Sequence, residues 1–115
     1  MTSTSSLEIT VENSGMNVLV HVSGRINVDS SPDLRDCLVA ILSAEPLPRA
    51  ITVDLAGVSY IETSGIATLI EALRIARHHQ MTFCLQRLGG SVLRLFEVTG
   101  VLALFDPGDH REKVS

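Results

Sequence analysis

Thr63 and Ser64 are two adjacent hydroxyl residues in the segment Asp54–Leu69, which joins a predicted buried strand to a predicted helix. The apolar spacing that follows them predicts that they lie at the N-terminus of that helix. A phosphate on a hydroxyl there would carry a charge of about −1.5 to −2 and would face free backbone N–H groups at the positive end of the helix. The fold would tolerate such a group, and a partner docked around the helix start would be expelled.

The same segment also has a purely structural interpretation. Thr63 can cap the helix by accepting a hydrogen bond from a backbone N–H, which stabilises a helix by about 1 kcal/mol. Gly65 can allow another element to approach closely because it has no side chain. Without further context these residues favour the structural interpretation, and phosphorylation stays open as an alternative.

Hydrolysis is another chemistry that the serines could support. Gly57-Val58-Ser59 is similar to the start of a nucleophile elbow but lacks the second glycine of that motif. An esterase that uses Ser59 or Ser64 would also need a base, and no plausible base is spaced to lie beside either serine. No glycine is followed by the Lys-Ser/Thr of a phosphate-binding loop. The sequence therefore predicts a binding protein rather than an enzyme.

The four histidines do not form a metal-binding pattern. His78 and His79 are adjacent at the predicted end of a helix, so their side chains diverge and cannot bind one metal together. His21 lies in a predicted strand and His110 in the polar tail, and neither has a nearby set of ligands. No metal site and no cofactor is predicted.

The composition limits the class of protein. A chain of 115 residues with 45% hydrophobic residues can form one domain with a substantial core. The net charge of −4, the scattered arginines and the 3% aromatic content argue against a nucleic-acid-binding surface. Cys37 and Cys84 are interpreted as buried small hydrophobic residues. No apolar run is long enough to span a membrane and no secretory signal is recognised, so a cytoplasmic protein is expected.

Alternating and helical patterns of apolar residues predict the order of the elements. The pattern indicates strands at Leu7–Asn13 and Asn17–Ser23, a helix at Pro32–Ser43, a strand at Ala50–Leu55, a connection at Ala56–Tyr60, a helix from about Thr63 to His79, a strand at Met81–Leu85, a helix from Ser91 to Gly100 with Val92, Leu95, Phe96 and Val98 as its apolar residues, and a last segment of strand length at Val101–Phe105.

Strands that alternate with helices imply crossover connections and a partly parallel sheet. The predicted fold class is α/β, a single domain with a mixed sheet of about four to five strands packed by about three to four helices. The domain is expected to span residues 7–106, with a flexible N-terminus at residues 1–6 and a polar C-terminal tail at residues 107–115.

Three segments resemble, in the same order along the chain, the motifs of the STAS domain family. Residues 54–66, with the pattern Asp-Leu-x-Gly-Val-x-Tyr-Ile-Glu-Thr-Ser-Gly-Ile, resemble the family signature, which usually ends in Asp-Ser-Ser/Thr-Gly-Leu. Gly24-Arg25-Ile26-Asn27 is similar to the family's Gly-Glu/Arg-Leu/Ile-Asp after the second strand, and residues 93–101 resemble its late Leu-Phe-x-x-x-Gly-Leu helix end. The resemblance covers about residues 7–106, and three ordered motifs are more specific than one.

The resemblance implies an anti-sigma factor antagonist of bacterial partner-switching pathways. Such a protein binds an anti-sigma factor serine/threonine kinase while unphosphorylated, which releases a sigma factor and so regulates transcription, and phosphorylation ends the binding. A phosphatase is expected to reverse the modification. The position in the motif implies Thr63 as the phosphoacceptor and Ser64 as the alternative. The chain departs from the family pattern at Glu62 and Asn27, where aspartate is usual, and at Thr63, where serine is usual.

The partner surface that the resemblance implies comprises the loop Arg25–Ser31, the turn Ser59–Gly65 and the outer face of the following helix. Its expected partner-binding residues are Arg25, Asn27, Asp29, Ser59, Tyr60, Glu62, Thr63, Ser64, Gly65 and Thr68. An alternative function is a STAS scaffold, or a subunit of a signalling assembly or of a lipid or anion transporter, without a phosphorylation switch. Thr63 would then be a helix cap or a regulatory hydroxyl.

Overall fold

The computed structural model describes residues 7–105, which form four strands, three α-helices and one 3₁₀ helix. The strands are β1 (Leu7–Ser14), β2 (Asn17–Ile26), β3 (Ala50–Ile61) and β4 (Thr82–Gln86), the α-helices are α1 (Ser31–Leu42), α2 (Thr63–His78) and α3 (Gly90–Thr99), and the 3₁₀ helix is Val101–Leu104. The α/β class and the predicted numbers of strands and helices are confirmed. In this part of the chain no helix combines the length and the hydropathy needed to cross a membrane.

The four strands form one mixed sheet in the order β1-β2-β3-β4. β1 and β2 are an antiparallel hairpin, whereas β3 is parallel to β2 and β4 is parallel to β3. The carboxyl ends of β2, β3 and β4 therefore meet at the same edge of the sheet. Since α1 follows β2 and α2 follows β3, the loop after β2 and the start of α2 are neighbours at that edge.

The core lies between one face of the sheet and the helices. In β3 the alternate residues Ile51, Val53 and Leu55 are buried, as the two-residue period of a strand requires. They belong to one cluster with Leu38 of α1 and Leu73 of α2, whose apolar residues follow the three-to-four-residue period of a helix. This packing fixes α2 against the sheet and with it the position of the first residue of the helix.

The segment Ala56–Tyr60, predicted as a connection, is instead the second half of β3. Pairing with β2 continues past it as far as Ile61, which lies opposite Ile26. Gly57 permits the close approach of the two strands, because a Cβ at that position would lie 2.4 Å from the Cβ of Ser23. The longer strand carries the chain directly to the start of α2.

The last apolar segment, Val101–Phe105, is predicted as a strand but forms the 3₁₀ helix and one further residue. Gly100 precedes it in the left-handed conformation, with φ at 75°, and turns the chain out of a strand direction. Phe105 is buried and packs against Phe83 and Phe96, with ring centroids 6.1 and 6.2 Å away. This segment is too short for its apolar pattern to distinguish a strand from a helix, so its packing determines its conformation.

The interpretation of the two cysteines as buried is right for Cys84, but it overestimates the burial of Cys37. Cys84 is buried in β4, whereas Cys37 is half-buried on α1. Partial burial raises the pKa of the Cys37 thiol, because a thiolate loses hydration there. The thiol is therefore kept protonated and behaves as a small apolar group.

Replacement of Gly65 tests how closely α2 packs on the sheet. A Cβ there would lie 2.4 Å from Ile26 Cγ2 and 2.9 Å from Ile61 Cγ1, and Ile26 is fully buried. We expect Gly65→Ala to lower the free energy of unfolding in urea by about 1 to 3 kcal/mol. Gly89→Ala is the matched control, because a Cβ at Gly89 meets nothing within 4 Å and its φ is −126°. Equal destabilisation by both changes would contradict the steric explanation.

Candidate partner-docking surface

The junction between β3 and α2 positions the two predicted hydroxyl residues. Glu62 is extended, with φ at −102° and ψ at 172°, and its N–H donates to the Ile26 carbonyl at 2.9 Å. The Glu62 carbonyl accepts the N–H groups of Gly65 and Ile66 at 2.9 and 3.2 Å. Glu62 is therefore the N-cap residue, and the interpretation of Thr63 as the cap is wrong, because Thr63 already lies in the first helical turn.

The hydroxyls of Thr63 and Ser64 differ in their access to solvent. Thr63 is exposed. The Ser64 hydroxyl oxygen is buried and has no hydrogen-bond partner among the residues that the structure describes. One turn later, Thr68 donates its own hydroxyl to the Ser64 carbonyl at 3.0 Å. Of the two residues, Thr63 is the exposed one, whereas Ser64 is half-buried and its hydroxyl oxygen is enclosed.

The Glu62 carboxylate connects the strands to the loop before α1. Its Oε1 accepts the Val28 N–H at 3.2 Å, and its Oε2 accepts the Tyr60 hydroxyl at 3.2 Å. The Arg25 guanidinium lies over the Tyr60 ring, 4.7 Å from the ring centroid, in a cation–π contact. The end of β2, the end of β3 and the loop are thus held together beside Thr63.

The loop between β2 and α1 is closed by its own polar side chains. Asn27 Oδ1 accepts the N–H groups of Asp29 and Ser30 at 3.0 and 2.9 Å. Ser30 Oγ accepts the Asn27 N–H at 3.0 Å and donates to the Arg25 carbonyl at 2.8 Å. An amide oxygen can accept these bonds as a carboxylate would, so asparagine at position 27 can form this turn without a charge.

The expected partner-binding residues lie in this loop, at the junction or in the first turns of α2, and they differ in burial. The residues with exposed or half-buried side chains are Arg25, Asn27, Asp29, Ser59, Tyr60, Glu62 and Thr63. Gly65 and Thr68 are buried, as is the Ser64 oxygen. Ser59 donates to the Gly24 carbonyl at 3.4 Å, so its hydroxyl is paired with the backbone rather than with a base.

Two exposed apolar residues at this edge, Val28 and Val98, are not among the expected partner-binding residues, although Val28 lies within the expected loop Arg25–Ser31. Val28 is 64% exposed and Val98 is 73% exposed, the two highest values among the large apolar residues described. Val98 was expected on the apolar face of α3, but it is only two residues after the buried Phe96 and therefore about 200° around the helix from it. That helical-wheel position is the signal that could have revealed it.

A groove of about 260 Å³ separates the end of β3 from α3. Its lining residues are Tyr60, Ile61, Ser91, Arg94, Leu95 and Val98. The loop Arg25–Ser31, the junction Ser59–Thr63 and this groove are together called the docking surface. It combines exposed apolar side chains with the charges of Arg25, Glu62 and Arg94.

An ion-pair network lies on the face of the sheet away from the core. Asp54 is 3% exposed and accepts hydrogen bonds from Arg87 at 2.6 and 3.2 Å and from the Ala56 N–H at 3.0 Å. His21 Nδ1 lies 2.9 Å from Asp54, and His21 Nε2 lies 3.1 Å from Glu12. Ionised carboxylates only accept hydrogen bonds, so both contacts are hydrogen bonds at the same time when the His21 ring is protonated and both of its nitrogens donate. Glu12, His21 and Asp54 lie on three different strands and Arg87 follows a fourth, so the sequence did not predict these contacts.

The network shifts the acidity of its members. Burial alone would raise the pKa of Asp54, but the hydrogen bonds from Arg87, Ala56 and His21 outweigh burial and place that pKa below its usual range. The hydrogen bonds with Glu12 and then Asp54 raise the pKa of His21 above its usual 6.5. Among residues 7–105, no three His, Cys, Asp or Glu side chains are arranged to hold a metal ion.

Comparison with known protein families gives a match over nearly the whole described chain. The family model described as "Mlab, STAS domain" matches residues 9–105. The chain belongs to the STAS domain family. The family resemblance of the three sequence motifs is thereby confirmed, and the docking surface is a surface of a STAS domain.

Two of the proteins that this STAS domain is similar to are named anti-sigma factor antagonists. The anti-sigma-B factor antagonist of Bacillus subtilis is 24% identical over 101 residues, which cover 88% of this chain and 90% of the relative. An anti-sigma factor antagonist from Mycobacterium paratuberculosis has the same fold, with a TM-score of 0.74, 22% identity, and 91% and 87% of the two chains covered. The Bacillus cell fate determinant SpoIIAA in its phosphorylated form also shares the fold, with a TM-score of 0.69, 12% identity, and 93% and 96% covered.

The stability of this STAS domain should depend on pH through His21. Because its pKa is raised on folding, the stabilisation is fully present below pH 6.5 and is lost as the pH rises through the folded-state value. We expect the difference in urea midpoint between the unmodified chain and His21→Gln to be largest near about pH 6 and to shrink toward about pH 9. His78→Gln, at the exposed end of α2, is the control. A His21→Gln difference that stays constant over this range would rule out a protonated His21.

Proposed function

We propose that the protein is an anti-sigma factor antagonist that binds an anti-sigma factor serine/threonine kinase while Thr63 is unmodified and leaves it once Thr63 carries a phosphate. One observation carries the proposal: Thr63 is exposed at the first residue of α2, whereas the Ser64 oxygen is buried. Membership of the STAS family and the similarity to an anti-sigma-B factor antagonist support it. A kinase of this class works with cytoplasmic ATP, so we also propose a cytoplasmic location.

In the proposed modification this chain is the substrate and the kinase is the catalyst. The Thr63 oxygen bonds to the γ-phosphorus of ATP, the bond from that phosphorus to ADP breaks, and the hydroxyl proton passes to a base of the kinase. Backbone N–H groups at the start of α2 stabilise the resulting phosphate. The domain is therefore expected to stay folded in both states, and a phosphatase is expected to remove the group.

Binding of the unmodified protein is attributed to the apolar residues of the docking surface. Val28, Tyr60 and Val98 are exposed around the junction, and a few such anchors usually supply most of the energy of an interface. Arg94 adds an exposed positive charge at the groove. A complementary partner presents an apolar projection flanked by carboxylates. A phosphate on Thr63 would repel those carboxylates and weaken the complex.

The phosphoacceptor can be identified by mass spectrometry after incubation with candidate anti-sigma kinases and Mg-ATP. We expect one phosphate on Thr63 and loss of the complex. Thr63→Ala should keep the binding but accept no phosphate, and the control Ser64→Ala should behave as the unmodified sequence does. Phosphate on Ser64, or binding that phosphorylation leaves unchanged, would contradict the proposal. Stable binding without transfer would instead favour the scaffold or transporter-associated function.

The groove next to α3 can be tested by replacing its most exposed apolar residue. Val98→Ser should raise the Kd for the kinase about tenfold, measured by isothermal titration calorimetry, because it removes an apolar anchor. Met16→Ser is the control: Met16 is 46% exposed but lies in the turn before β2, at the opposite edge of the sheet. An unchanged Kd for Val98→Ser would contradict the proposal that the groove contributes to kinase binding.

A further inference from the structure

Glu62 joins the loop after β2 to the junction through its side chain. The carboxylate accepts the Val28 N–H and the Tyr60 hydroxyl, each at 3.2 Å. The neighbouring N–H groups of the loop are bonded within the loop itself, to Asn27 and Ser30. The bond from Val28 to Glu62 is thus a side-chain contact between the tip of the loop and the junction.

We propose that Glu62 is a positioning residue that couples the state of Thr63 to the loop Asn27–Ser30. In the unmodified protein the carboxylate holds Val28 against the junction. When Thr63 carries a phosphate, the carboxylate is displaced and the loop is released. The inference rests on the proposed function in that Thr63 is the modified residue, and it adds that modification changes the shape of the docking surface as well as its charge.

The displacement follows from the charges of two adjacent residues. A phosphate on Thr63 would carry about −1.5 to −2 charges on the residue next to Glu62 in sequence, and like charges at neighbouring positions repel. The bond from Val28 is exposed, and an exposed hydrogen bond contributes too little to resist such a repulsion.

The length of the side chain at position 62 determines whether its carboxylate can reach the Val28 N–H. Aspartate, one methylene shorter, could not reach the Val28 N–H while the backbone of residue 62 stays bonded to Ile26. Glutamine has the length of glutamate and an acceptor oxygen but no charge. The two substitutions therefore separate the reach of the side chain from its charge.

Loss of the loop contact would change an apolar part of the docking surface. Val28 is 64% exposed, and its own backbone N–H is the group that is bonded to Glu62. If that bond opens, the Val28 side chain is no longer held in one position, and a partner must order it again on binding. Phosphorylation would then weaken binding through the loop in addition to direct charge repulsion.

The coupling can be measured on the ¹⁵N-labelled full chain by NMR, as the exchange of the Val28 amide proton with water. Thr63→Glu should speed this exchange about fivefold, and the double variant with Glu62→Gln should lose most of that increase. Glu62→Asp should exchange fast with or without Thr63→Glu. The Thr82 amide, which is bonded to the Arg49 carbonyl at 3.0 Å outside the loop and the junction, is the internal control and should not change.

Equal Val28 exchange in the unmodified chain and in Thr63→Glu would overturn the coupling, and so would an undiminished increase in the double variant. The amide spectrum reports the folding of each variant, and the Thr63→Glu comparison alone can still overturn the coupling if a Glu62 variant fails to fold. The measurement needs no kinase. If phosphorylation ends kinase binding but Val28 amide exchange is unchanged, only the coupling is contradicted. If Val28 amide exchange changes but no kinase binds, only the proposed function is contradicted.

Discussion

The first turn of α2 rests directly on the ends of β2 and β3, and only a residue without a side chain leaves room for this contact at position 65. The Glu62 N–H bond to Ile26 closes the same junction from the backbone side. With α2 held against the ends of β2 and β3, residue 63 is the first helical residue and is exposed, while the hydroxyl oxygen of residue 64 is buried. The local order of a glycine and two hydroxyl residues therefore decides which oxygen meets solvent.

A second constraint acts on the other side of the groove. Arg87 has a φ of 60°, which costs a residue other than glycine about 1 kcal/mol or more. Its two hydrogen bonds to the buried Asp54 offset this cost and hold the chain between β4 and α3. Because α3 begins three residues later, at Gly90, the position of the groove depends on a carboxylate in the middle of β3.

The sequence predicts the layers of this fold well because the apolar periods of β3 and α2 are long and regular. It misjudges the two ends where packing overrides local pattern: β3 runs on to Ile61, and Val101–Leu104 is a 3₁₀ helix. At the candidate site it predicts that Thr63 and Ser64 lie where a strand meets the next helix, but their different burial depends on how that helix packs against the sheet. Contacts such as that of His21 with Asp54 join strands far apart in sequence, and no local spacing reports them.

The buried oxygen of Ser64 has a consequence for how such a switch would be read in a population of molecules. Two modifiable hydroxyls would give four forms of the protein, each with its own affinity for a partner. With one of them enclosed, this pair of residues gives two forms, and the population is described by a single occupancy. The concentration of the unmodified form, which binds the partner, would then depend only on the ratio of the rates of phosphate transfer and phosphate removal. No partly modified form with an intermediate affinity would contribute.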